Sequence, residues 1–259
     1  MCPSHGFEYD GTGRVRVIPA NGRVSPVPQN FQVKAYHVAE AADFIWLWYG
    51  DDEPRYQPKF FDNIDNSFEY SEFWESWNVH YSRAIENQLD PMHLPFVHYN
   101  TIGRGNRTVV DEPIVKWVDD TMFYFYVFNR VDDGTPAKRA DQIQGDARTQ
   151  VYLEFKFPNI TDNMRVTAAF APVDEENTVL YIRYYVRLTK IRLLDKLIAI
   201  AGIPFNKVVL HQDRAVVLTQ VPKKSELKMN ENLIPGDSPI LEYRKKRAIL
   251  KGESGGSNG

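Results

Sequence analysis

Asn87, Asp90, His93 and His98 place an amide, a carboxylate and two imidazoles within a dozen residues of one another. Two neutral imidazoles joined by one carboxylate form the facial set that holds non-haem Fe(II) in oxygenases and leaves positions open for dioxygen. The spacing of the histidines needs a break in the chain. On an undistorted helix, residues five apart point about 140° away from each other. Pro95 lies between them, lacks a backbone N–H and clashes with the carbonyl four residues back, so the helix is predicted to end or kink there and bring His98 towards His93. Asn87, Asp90 and His93 follow at steps of three, which on a helix puts them on one face, able to look at one metal.

The same residues also suit hydrogen-bonded core histidines, and only a third ligand separates the two readings. Asp213 is the candidate, an acid set in an apolar, helix-periodic segment over residues 208–220 where an unpaired charge is expensive. A salt bridge to Arg214 or to a neighbouring helix is the alternative.

The pattern N-x2-D-x2-H-x4-H at Asn87, Asp90, His93 and His98, followed roughly 115 residues later by Gln212-Asp213, resembles the catalytic domain of the Rieske non-haem iron oxygenases. The wording Glu-Asn-x-x-Asp-Pro-x-His-x-Pro-Phe-x-His is similar to the monooxygenase-type branch that includes vanillate demethylases and the pheophorbide and chlorophyllide oxygenases. A second motif stands at the N-terminus, where Cys2 and His5 lie in a C-x2-H that suits a tight metal-ligand loop. A lone cysteine is also commonly a small buried hydrophobe. The longer string C-P-x-H-G-F-x-Y-D-G-x-G resembles the second ligand loop of a Rieske domain, in which two Cys and two His hold a two-iron two-sulfur cluster. The family's upstream C-x-H is missing and no other cysteine exists, so the resemblance implies a sequence that starts inside its own Rieske domain with two of the four cluster ligands. A gene fragment, an internal methionine taken as a start and a genuine short form are the explanations open.

The resemblance further implies Fe(II) held by His93, His98 and Asp213, with dioxygen as co-substrate. Electrons would come from the Rieske cluster, fed by an NAD(P)H-dependent reductase or a ferredoxin. Asp90 is then a bridge between a Rieske histidine and an iron-ligand histidine from neighbouring subunits of a homotrimer. Its alternative is a helix-start acid before Pro91, favoured by the dipole. Asn87 is either a near-iron residue or a buried structural amide, and His211 packs or caps. The implied reaction is hydroxylation or demethylation of an aromatic or other apolar small molecule, with ring opening also open. An inactive fragment or a non-catalytic small-molecule binding protein of the same fold is the other class, and iron content separates the two. The H-x4-H spacing argues against a zinc protease, which wants H-E-x-x-H, and against oxoglutarate-dependent oxygenases, whose first His is followed two residues later by an acid.

Positioning these groups takes a sizeable core, and a chain of 259 residues with 43% hydrophobic content can build one. The net charge of -3 gives no reason to expect nucleic acid or an anionic membrane as partner. One cysteine rules out an internal disulfide and suits a reducing compartment, so a cytoplasmic protein is expected, with organellar targeting left open. The longest apolar run, residues 193–205, is broken by Asp195, Lys196, Gly202 and Pro204 before it reaches the length of a membrane span. Residues 1–50 read as short strands at 14–18, 32–37 and 44–48, half of a small all-β Rieske domain, and 51–62 as a linker. The catalytic domain is expected over 63–250. It begins with a helix over 79–94 and a mobile glycine-punctuated loop at 101–107. Strands follow at 114–118, 122–130, 148–157, 164–172 and 178–188, then helices at 192–201 and 206–221 and a basic end at 240–250. Residues 132–144 read as a polar surface excursion, and 251–259 as a disordered tail. The fold class is therefore α+β. By resemblance it is a helix-grip domain, an antiparallel sheet around a C-terminal helix with a cavity for an apolar substrate between them.

Overall fold

The computed structural model describes residues 1–50, 53–103, 105–143, 150–151, 154–156 and 163–252. The expectations for most of 148–157, for Arg104 and for the tail from Glu253 fall wholly or in part outside them. The chain forms two compact units, Met1–Asp65 and Asn66–Gly259. No helix among the described residues is long and apolar enough to cross a membrane.

The first unit is built from two antiparallel hairpins, β1 (Glu8–Tyr9) with β2 (Val15–Val17) and β3 (Val38–Ala41) with β4 (Phe44–Leu47). The strand predicted over 32–37 is absent. Gln32 makes one isolated bridge to Arg14, and the paired strand starts only at Val38, because a period-2 pattern forms a strand only where a neighbour supplies a ladder.

In the second unit β5 (Glu69–Trp77) leads into α1 (Tyr81–Leu89) and α2 (Leu94–Val97). Then come β6 (Val109–Trp117), β7 (Phe123–Arg130), β8 (Gln150–Val151), β9 (Glu154–Lys156), β10 (Met164–Pro172) and β11 (Thr178–Val186). Three helices close the chain, α3 (Arg192–Ala201), α4 (Ile203–Val217) and α5 (Ser238–Leu250). One antiparallel sheet has the order β5-β11-β10-β9 and a second the order β6-β7-β8. Leu180, Ile182, Tyr184 and Val186 alternate along β11 and turn one face towards Ala199 of α3 and Leu210 and Val217 of α4. This is the α+β class expected, with helices laid on an antiparallel sheet.

Glycine at position 202 lets the two helices join tightly. A Cβ there would stand 2.4 Å from a ring carbon of Tyr184, so only a bare backbone fits between α3 and the sheet. Helix α4 starts at Ile203 rather than at 206, because Pro204 falls in its first turn, where the missing N–H is not needed. A second cluster, Leu89, Phe125 and Val127 with Ile85, Ile240 and Tyr243, joins α1 to β7 and α5. Helix α1 is thus buried on nearly every side although much of it is polar.

Candidate metal centre

Helix α1 stops at Leu89, five residues before the predicted end. Asp90 precedes Pro91, whose ring disfavours the helical region for the residue before it, and Asp90 adopts φ -92 and ψ 109. Its Oδ1 accepts the Met92 N–H at 2.7 Å, which fixes the turn. Pro91 therefore breaks the helix, whereas Pro95 sits in the first turn of α2 and starts one. His93 and His98 bracket α2 as its N-cap and C-cap, with ring centroids 5.1 Å apart. Asn87, Asp90 and His93 do not share a helix face, as their steps of three suggest, since the last two lie beyond the helix end. Nor is Asp90 a helix-start acid, because it caps the C-terminus of α1.

The loop after His98 folds back onto this turn. The N–H groups of Thr101 and Gly103 both donate to the His98 carbonyl, at 3.0 and 2.9 Å. A Cβ on Gly103 would lie 1.7 Å from the Leu94 carbonyl oxygen, so no other residue type fits. Within the segment read as a mobile loop, Thr101 and Gly103 thus brace His98.

Asp213 reaches the same place from α4. Leu210, Asp213 and Val217, at steps of three and four, are the buried residues of that helix, so the acid lies within the stripe that faces the sheet. Its Oδ1 is 2.9 Å from His98 Nε2 and 3.3 Å from His93 Nε2. One ligand atom from each of His93, His98 and Asp213 lies within 4.8 Å of the other two. Arg214 is not the partner of Asp213; the residues that pair with it are His93 and His98, on either side of the neighbouring helix α2. Burial opposes protonation of His93, but Asp213 and Asp90 on its two sides outweigh it and push the imidazole up to about 9. Burial likewise favours the neutral acid at Asp213, and His93 and His98 outweigh it, holding the carboxyl at about 2.

The orientation of His98 is set from behind. Gln212 Nε2 donates to Asn100 Oδ1 at 3.0 Å, leaving Gln212 Oε1 to accept from His98 Nδ1–H at 2.9 Å and from the Thr101 hydroxyl at 2.9 Å. Nε2 lies at hydrogen-bond distance from Asp213, 2.9 Å, and the Gln212 acceptor would keep a proton on Nδ1 when a metal takes Nε2, the tautomer a metal ligand needs. On His93 the corresponding nitrogen, Nδ1, stands 3.6 Å from Asp90 Oδ2, too long for a hydrogen bond, and is buried without a partner. Two imidazoles and a carboxylate converging in a buried site fit a divalent first-row metal, and the oxygenase facial set in particular.

The remaining expected residues lie elsewhere. Asn87 and Asp90 line a polar cavity of about 230 Å³ between α1 and α5, and Asn87 Nδ2 is buried there without a partner. Cys2 and His5 share a tight turn closed by Cys2 N–H to Phe7 O at 2.7 Å and Gly6 N–H to Cys2 O at 2.9 Å. Backbone N–H groups of His5 and Ser4 directed at the Cys2 sulfur lower its pKa, as a thiolate ligand requires. Cys2 and His5, the expected ligand pair, thus lie on one turn. His211 neither packs nor caps. Its Nε2 pairs with Glu75 Oε1 at 2.8 Å on a side chain 57% exposed.

Two features escaped the sequence reading. Gln88, next to Asn87, lines a cavity of about 50 Å³ together with His98 and Asp213, walled by Val166, Ile182 and Phe205. Glu86, 3% exposed, is held between two guanidiniums, Arg83 at 2.8 Å and Arg244 at 2.6 Å, which tie α1 to α5. The polar run Glu86-Asn87-Gln88 in a helix otherwise placed in the core was the available signal for both.

Comparison with known proteins follows the same lines. The vanillate O-demethylase oxygenase C-terminal domain matches residues 77–250. Chlorophyllide a oxygenase of Chlamydomonas reinhardtii is 36% identical over 106 residues, covering 40% of this chain and 16% of that protein. Protein TIC 55 of Pisum sativum is 23% identical over 273 residues, covering 94% of this chain and 46% of that one. The chain thus spans less than half the length of either. Among solved structures, Pseudomonas putida NdmA with caffeine superposes with a TM-score of 0.65 at 21% identity, over 97% of this chain and 73% of that one, a likeness of fold.

Proposed function

The chain belongs to the Rieske non-haem iron oxygenases through its vanillate O-demethylase-type C-terminal domain, and on that premise we propose that Asn66–Gly259 is an oxygenase unit acting on a small apolar or aromatic molecule. The observation that carries the proposal is the convergence of His93 Nε2 and His98 Nε2 on Asp213 Oδ1, at 3.3 and 2.9 Å, beside an apolar cavity. Bound there, Fe(II) supplies reductive activation of dioxygen, with electrons drawn from a two-iron two-sulfur centre.

The side chains have distinct tasks. His93 and His98 contribute neutral donors, and Asp213 offsets one of the two metal charges. Gln212 holds the His98 proton on Nδ1 and so keeps Nε2 available. Val166 and Ile182 from the sheet exclude water from one side of the centre and give a flat apolar molecule a wall to lie on. Asp90, 3.6 Å from His93 Nδ1, is placed to accept that proton when the ring turns to a metal, and we assign it the bridging role towards a cluster on a neighbouring copy in a homotrimer. A reductase or ferredoxin is the electron partner. Asn87 lines the cavity next to Asp90 and supports that side rather than the substrate side.

Anaerobic titration with Fe(II) tests the assignment. The wild-type chain should bind one equivalent, and His93→Ala and His98→Ala should each lose it while retaining their circular dichroism, since each change removes a ligand and little core volume. Stoichiometric iron in both variants would sink the proposal.

A further inference from the structure

Gln88 is 8% exposed, lines the cavity shared with His98 and Asp213, and its amide makes no hydrogen bond to any described residue. Buried polar groups normally find partners, since leaving an amide unpaired is costly. Every other polar group of helix α1 near the site is engaged or belongs to the second cavity: Ser82 with His80 and Ser225, Arg83 with Glu86 and Pro222, Asn87 in the cavity towards α5. Gln88 is the side chain of α1 that lines the cavity beside the proposed metal centre.

The rest of the lining restricts what can meet it. Among the described residues no lysine or arginine lines the cavity. Asn206 has its Nδ2 engaged by the Gly202 carbonyl at 2.9 Å, which leaves a carbonyl oxygen on that side. An anionic substrate would lie against Asp213 and the apolar wall with no side-chain counter-charge, which burial penalises heavily. The free space, about 50 Å³, holds the reacting end of a molecule, and Phe205, 47% exposed at the rim, is placed to admit the remainder.

We propose that Gln88 is a specificity-determining residue and that the substrate is an uncharged, largely apolar molecule bearing one hydrogen-bonding group, such as a carbonyl, ether or hydroxyl, read by the Gln88 amide. This rests on the cavity being the substrate side of the iron centre. It is tested by ligand-observed 19F NMR on the full chain, metal-free and anaerobically Fe(II)-loaded, with 4-fluorobenzamide, 4-fluorotoluene and 4-fluorobenzoate. The benzamide should bind tightest and the benzoate at least about 10-fold more weakly, the sign of an uncompensated buried charge. Gln88→Leu should weaken the benzamide about 2- to 13-fold, the worth of one neutral hydrogen bond, and leave the toluene unchanged. Gln88→Met is the second variant, should the branched side chain disturb α1, and thermal unfolding verifies that each variant is folded. Benzoate binding as tightly as benzamide, no binding of any probe, or a benzamide preference that persists in both folded variants overturns the inference. Iron content measured on the same samples keeps the two proposals apart, because a chain that takes up no iron refutes the metal site whatever the probes do, and a loaded chain with the wrong probe order refutes only the role of Gln88.

Discussion

Replacing Gln212 by leucine removes the group that decides which nitrogen of His98 faces the metal. In the native arrangement Nδ1 stands 2.9 Å from Gln212 Oε1 and Nε2 stands 2.9 Å from Asp213 Oδ1, so a metal can take Nε2 while Gln212 keeps the proton on Nδ1. Leucine offers no acceptor, and at 1% exposure His98 has no water to turn to. The ring then has a cheap escape, since moving the proton to Nε2 lets it donate to Asp213, a charge-assisted bond at the existing distance. That tautomer cannot ligate a metal, and binding must reverse it, leaving a buried Nδ1–H unpaired at a cost of about 1–3 kcal/mol. At about 1.4 kcal/mol per decade this is a loss of roughly 5- to 150-fold in metal affinity, the range found when outer partners of metal-bound histidines are removed. Fe(II) or Co(II) affinities measured by chelator competition give the number. Gln212→Glu keeps an acceptor at the same reach and should stay within about 5-fold of wild type. Metal affinity of Gln212→Leu within twofold of wild type would refute the tautomer argument, because the proton would then be held by something other than residue 212.

Three further substitutions test other parts of the structure. Glu86→Ala leaves the buried Arg83 with the Pro222 carbonyl and Arg244 with Glu231, and should destabilise the second unit by about 3 kcal/mol, the low end for a broken buried pair, some 6–12 °C in calorimetry; an unchanged melting temperature would mean that the buried pairs to Glu86 are not formed. Gly103→Ala forces a Cβ to within 1.7 Å of the Leu94 carbonyl, so it should shift α2, cost about 1–3 kcal/mol or more and weaken metal binding together with stability; full metal affinity in this variant would show that the brace does not position the histidines. Asp90→Asn keeps the hydrogen bond to Met92 N–H and should cost less than about 1 kcal/mol and retain iron, while electron transfer from a cluster-containing partner is lost; unchanged single-turnover transfer rates would leave Asp90 a turn residue only.

Local chemistry was legible from residue order. The strand at 178–188 and the apolar, helix-periodic segment over 208–220 with an acid set in it were readable, because periodicity is a property of a single segment. The types and spacing at His93, His98 and Asp213 carried the candidate chemistry for the same reason. What needed the folded chain was everything decided by a partner distant in sequence. Which of two prolines ends α1 depends on the turn each sits in, and Pro91 won because Asp90 could find the Met92 N–H there. That the acid meets both imidazoles, rather than Arg214, follows from α2 packing against α4, where His98 and Asp213 meet across 115 residues of chain, a contact that no local pattern encodes. Gln88 and Asn87 are neighbours with the same amide group, and only the packing of α1 between two cores turns one towards the His98 cavity and the other towards α5.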